Sequence, residues 1–115
     1  MDFEEALQRF DNDRVFFDAM CSELMAAIPA RISDLRTDLR AGNPTDLFRH
    51  AHNLKGLVAN FSAHPIVSLA LQLETLGKQG DLMNVGSLLD QLDVEFSRLR
   101  SYLISINIPL ERPAS

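Results

Sequence analysis

The stretch "AGNPTDLFRHAHNLKGLVANF", residues 41–61, decides how this chain folds. Its first six residues stop one helix and start another. Gly42 suits a helix C-terminus, because glycine enters the left-handed region without steric cost. Asn43 can cap the next helix through its side-chain oxygen, and Pro44 fits the first helical position, where no backbone N–H is needed. From there Leu47, Ala51, Leu54, Val58 and Phe61 recur at three- and four-residue spacing, the pattern of a helix with one buried side. That helix is predicted from Pro44 to about Ser62, with His64-Pro65 breaking it.

The same reasoning extends outward. Upstream, Val15, Phe16, Ala19, Met20, Leu24, Ile28, Ile32, Leu35 and Leu39 form one long stripe, capped by the turn Asp11–Asp13. Pro29 lies inside it and is expected to kink the helix or split it. A short first helix runs from Asp2, its N-cap, to about Phe10, with Glu5 as the capping-box partner. Downstream, a fourth helix is predicted from Pro65 to Lys78, ending through Gly77 or Gly80. A fifth runs from about Asp81 to Ile106. Long amphipathic helices with short connections predict an all-α fold, an antiparallel four-helix bundle with a short N-terminal covering helix. The bundle is expected over residues 1–106, with residues 107–115 as a flexible tail, since "NIPLERPAS" carries two prolines.

Composition narrows the function. The chain has 115 residues, enough for one domain. Its net charge of -5 argues against nucleic acid as a partner, which needs a basic footprint. No apolar run approaches the ~20 residues of a membrane span, and the acidic start "MDFEEAL" is unlike a signal peptide. The single cysteine, Cys21, sits in an apolar run and reads as a buried, reduced thiol. Together these predict a cytoplasmic protein. Met20, Met25 and Met83 read as core filler.

Two of the three histidines lie in the third helix. On a helical wheel His52 falls about 140° from the core direction and Gly56 about 180° from it. Lys55, Phe48 and Ala59 lie on the His52 side, at about 80°, 100° and 120°. His52 is therefore expected to face solvent, with Phe48 and Gly56 one turn to either side. A glycine inside a helix costs about 1 kcal/mol against alanine, and this one points away from the core. Its missing side chain would leave the imidazole open to a large partner. His50 flanks the core on the opposite side and reads as a structural hydrogen-bonding group; His64 reads as a solvated or capping residue.

An exposed neutral imidazole is a nucleophile at cell pH. Phosphorylated, it would carry negative charge that Lys55 can offset. Neither a P-loop nor a kinase-type glycine-rich loop occurs in the chain, and no carboxylate cluster is expected around the site. The protein would thus receive a phosphoryl group from a partner and hand it on, with the partner supplying magnesium and acidic residues.

The motif "AHNLKG", Ala51 to Gly56, resembles the centre of the histidine-containing phosphotransfer (HPt) domain family, roughly A-H-x-L-K-G. Upstream "PARISDLRTDLRAGNPTDLFRHAH" and downstream "LALQLETLGKQGD" are similar to the family's flanking helices, so the resemblance runs from about Phe3 to Leu103. It implies that His52 is phosphorylated, that Lys55 assists electrostatically and that Gly56 gives access. The implied partner is a response-regulator receiver domain or a hybrid histidine kinase, docking around Phe48 and Ala59. No bound cofactor is implied, magnesium being expected on the receiver. Leu57 and Val58 stand where the family often has small or hydroxyl residues, and Ser62 replaces the usual glycine of the turn.

Two other readings compete. A metal site is disfavoured because His50 and His52 diverge on the helix and no Glu-x-x-His pair occurs. An HPt-like docking module could keep the bundle and bind a receiver or kinase without carrying phosphate. The short first helix predicts a monomer.

Overall fold

The computed structural model describes residues 1–110, and those residues hold five helices and no strand. They are α1 (Phe3–Arg9), α2 (Arg14–Arg40), α3 (Pro44–Ala59), α4 (His64–Gln79) and α5 (Val85–Ser105). Polar side chains start the first three. Asp2, Asp13 and Asn43 accept hydrogen bonds from the backbone N–H of Glu5, Phe16 and Asp46, satisfying donors a helix leaves unpaired. Gly42, with φ +62°, turns the chain out of α2, and Gly80, with φ +73°, ends α4.

Each of the four longer helices packs against two others: α2 on α3, α3 on α4, α4 on α5, and α5 back on α2. The enclosed core includes Ile28, Leu35, Leu54, Leu73 and Leu89, all with no exposed surface. Burying each such side chain stabilises the fold by about 1.5–3 kcal/mol before entropy is counted. Across α2 and α5, the Arg36 guanidinium bridges Asp90 at 3.1 Å and Asp93 at 2.5 Å.

The short α1 sits at one end, held by aromatic contacts and by the turn between α3 and α4. The rings of Phe3 and Phe10 meet Phe17 edge-on, with centroids 5.7 and 5.5 Å apart. The Ser62 hydroxyl donates to Glu5 Oε1 at 2.6 Å, and the Asp2 N–H donates to the Ser62 carbonyl at 3.0 Å. Glu5 therefore does not close a capping box with its own helix. Its carboxylate is held below the usual range by the Ser62 hydroxyl and by Arg9, both of which favour the charged form.

The structure corrects several expectations. The α2 core line passes through Phe17 and Cys21, while Val15 and Phe16 are 82% and 49% exposed. Phe17 is in phase with Cys21, Leu24 and Ile28 at spacings of four, three and four, whereas Val15 and Phe16 fall outside that period; α1 closes over Phe17. Pro29 does not split α2, which is continuous from Arg14 to Arg40; the ring lies on the exposed side. The third helix stops at Ala59, because Ser62 takes a left-handed φ of +51°. α5 begins at Val85: Asp81 accepts the Met83 N–H in a local turn that delays the helix. Met83 is 89% exposed there and is no core filler.

Past α5 the Ile108 N–H donates to the Leu103 carbonyl and its side chain is buried. The bundle thus keeps hold of the chain two residues beyond the boundary expected at Ile106. Of the expected tail, residues 111–115 lie outside the described residues.

Candidate functional site

α3 carries His52 on its exposed side because Leu47, Ala51, Leu54 and Val58 bind the opposite face into the core. The imidazole is 59% exposed. Phe48, one turn earlier, lies against it: the ring centroids are 6.2 Å apart and the planes only 18° from parallel. Gly56, one turn later, is exposed, and nothing stands within 4 Å of where its Cβ would be. Lys55 and Ala59 are partly buried, and Ala59 ends α3 about 10 Å along the axis from His52.

A residue missed in the sequence completes the group. Glu74 of α4 reaches across, its Oε1 3.0 Å from His52 Nδ1 and its Oε2 2.5 Å from Lys55 Nζ. The second contact is an ion pair without hydrogen-bond alignment. The carboxylate is only 14% exposed. Lys55 holds its pKa below the ordinary value; burial opposes this, and His52 adds to it. The expectation was of no carboxylate cluster; one carboxylate, which the sequence reading did not place, stands at the site. One signal was available: Glu74 is the single acidic residue of α4 and follows the core residue Leu73, on the flank of the buried stripe.

The contact sets the chemistry of the ring. An ionised carboxylate can only accept, so Nδ1 of neutral His52 must carry the hydrogen. The second nitrogen, Nε2, then bears the free lone pair, and it has no hydrogen-bond partner among the described residues. In the neutral ring that lone pair is thus carried on a side chain with an open glycine one turn along the helix.

The other histidines are placed elsewhere. His50 Nδ1 lies 2.5 Å from Oδ2 of Asp38, a buried carboxylate of α2, so His50 joins α2 to α3. His64 opens α4, with Nε2 3.5 Å from Glu5. Cys21 is buried in the core, which pushes its thiol up to about 12. Among the described residues, no group of three or more His, Cys, Asp or Glu could hold a metal ion. No described helix is long and apolar enough to cross a membrane. On the α2 side of α3, away from Glu74, a groove of about 420 Å³ is lined by apolar residues including Phe10, Met20, Leu57 and Phe61.

Compared with protein-family models, the chain matches the Hpt domain over residues 19–102. It belongs to the Hpt domain family. Hpt domains are phosphocarrier modules of phosphorelays; they hold no cofactor and interact with receiver domains and kinases. The Hpt match contains α3, α4 and all of His52, Lys55, Gly56 and Glu74, while α1 and the first turn of α2 precede it. Neither the curated proteins nor the solved structures gave a match.

Proposed function

We propose that this Hpt domain is a histidine phosphotransfer protein of a two-component phosphorelay, with His52 as the residue that carries the phosphoryl group. The observation that carries the reading is the pairing of His52 Nδ1 with Glu74, on a ring otherwise open to solvent.

In the proposed step, the Nε2 lone pair attacks the phosphorus of a receiver's aspartyl phosphate. The N–P bond forms as the P–O bond to the aspartate breaks, and that carboxylate leaves with the electron pair. Nδ1 keeps its hydrogen, so the phosphoimidazole ring is cationic, and Glu74 balances that charge. The Lys55 ammonium, paired with the same Glu74 carboxylate, helps offset the negative charge of the transferred group. Transfer to a second receiver runs the same step backwards. Magnesium belongs to the receiver, which uses it to neutralise charge on the phosphoryl oxygens. With no nucleotide-binding loop of its own, the domain acts as a carrier and depends on a receiver or hybrid kinase for phosphate.

Gly56 would admit the receiver to His52, with Phe48 and Ala59 on the docking surface and the apolar groove beside Leu57 extending it on the α2 side. The contacts support an antiparallel bundle: His52 meets Glu74 while Phe48, earlier in α3, meets Gly77, later in α4. A cytoplasmic location and a monomeric carrier complete the proposal.

The test is incubation with phosphorylated receiver domains beside a His52→Gln variant. Acid-labile, base-stable label on the wild type alone supports the proposal. A folded protein that binds a receiver yet takes no label would leave a docking module.

A further inference from the structure

Two glycines lie in the helices that build the site, and their surroundings are opposite. Gly56 has open space around it. Gly77, near the end of α4, is buried against the backbone of α3. A Cβ built there would lie 2.7 Å from the Phe48 amide nitrogen, 2.9 Å from Phe48 Cα and 3.0 Å from the Pro44 carbonyl oxygen. All three are main-chain atoms, so no side-chain tip can swing aside. Glycine inside a helix costs about 1 kcal/mol relative to alanine, and here the close approach of two backbones is what it permits.

This contact lies one turn from the reacting group on both helices. Phe48 is four residues before His52, and Gly77 is three after Glu74. An alanine at 77 would have to move α4 off α3 at the level where Glu74 reaches His52. That hydrogen bond spans 3.0 Å, and such bonds fade by about 3.5 Å. The same shift would move the Phe48 ring that lies against the imidazole.

We propose that Gly77 is a positioning residue for phosphotransfer: its missing side chain seats α4 on the Phe48 backbone and so keeps Glu74 within reach of His52 Nδ1. The inference takes its purpose from His52 as phosphoryl carrier, yet its first readout needs no phosphate.

The experiment records ¹⁵N-resolved histidine ring spectra of the full chain as wild type, Gly77→Ala and Gly86→Ala. Gly86 is the matched control, because a Cβ there meets only Leu39 Cδ2 at a comfortable 3.7 Å. Wild type and Gly86→Ala should show neutral His52 with its hydrogen on Nδ1. Gly77→Ala should shift the ring toward the Nε2–H tautomer and slow uptake from a phosphorylated receiver on the order of tenfold, as sub-ångström to ångström misplacement does. In a Glu74→Ala background the same substitution should slow uptake by less than about twofold, because the effect runs through that carboxylate.

Spectra are repeated in trimethylamine N-oxide so that a marginal fold is restored. A folded Gly77→Ala chain with wild-type His52 signals would overturn the proposal. So would an undiminished loss of rate without Glu74, or a chain still unfolded in the osmolyte, since Gly77 would then serve the fold and not the site. If wild type takes no phosphate, the phosphocarrier reading fails while the ring spectra still decide the role of Gly77.

Discussion

Glu74 Oε1 lies 3.0 Å from Nδ1 of His52, linking two helices through residues 22 positions apart. In the neutral ring the pair makes one nitrogen a hydrogen-bond donor and leaves the other with a free lone pair, the nucleophile of the proposed step. Replacing the carboxylate should therefore impair the reaction with little effect on the fold. Glu74→Ala is expected to slow phosphate uptake by on the order of ten- to a hundredfold, as loss of a carboxylate that fixes a histidine's tautomer and orientation does. Lys55→Ala should slow it less, without abolishing it. Single-turnover transfer from a phosphorylated receiver, beside far-ultraviolet circular dichroism, checks both.

The same carboxylate gives the fold an acid limb. Its folded-state pKa lies below the ordinary 4.5, so its contribution is complete above that ordinary value and is lost as pH falls through the lowered one. The melting temperatures of wild type and Glu74→Gln should differ at about pH 6 and draw together as pH falls below the ordinary carboxylate value, since the remaining carboxylates are common to both. A gap that stayed constant would show that Glu74 is not held charged by Lys55 and His52.

His50 should behave differently from its neighbour two residues on. It pairs with buried Asp38, so His50→Gln removes a contact between α2 and α3 and leaves His52 in place. Stability should fall by about 1–3 kcal/mol, the cost of leaving a buried acceptor poorly satisfied. Phosphate uptake by the folded fraction should match wild type. Chemical denaturation and the transfer assay together check the two halves.

Cys21 should be silent until the fold opens. Burial removes water from the thiolate and pushes the thiol up to about 12, leaving almost no nucleophile at neutral pH. A disulfide reagent should label it in denaturant and leave the native chain unmodified over the same time.

Much of this architecture could be read from local signals. The run Gly42-Asn43-Pro44 marks the α2–α3 corner because each residue type suits one backbone requirement, and those requirements are local. His52 was found in solvent for the same reason: the period of α3 fixes its faces without reference to other helices. Other features of the helices were harder to read. Phe17 is in phase with Cys21, Leu24 and Ile28, which the stripe drawn through Phe16 overlooked, and α1 docks over it. Pro29 is tolerated because its side of α2 faces solvent, which the periodicity alone did not weigh.

Glu74 reaches His52 only through the packing of α4 on α3, a distance no spacing rule encodes. Gly77 likewise reads as a helix terminator until its contact with the Phe48 backbone is seen. Ser62 stands where the resembled family carries glycine, and the left-handed backbone there explains that preference. In this chain the hydroxyl bond to Glu5 and the Asp2 N–H hold the strained conformation in place.

The central claim is that Nε2 of His52 takes the phosphoryl group because Nδ1 is committed to Glu74. The most direct measurement is ³¹P–¹⁵N correlation on the ¹⁵N-labelled, receiver-phosphorylated chain. A single phosphorus coupled to His52 Nε2, with Nδ1 still protonated, is the expected result. Coupling to Nδ1, or phosphate on any other residue, would contradict the account.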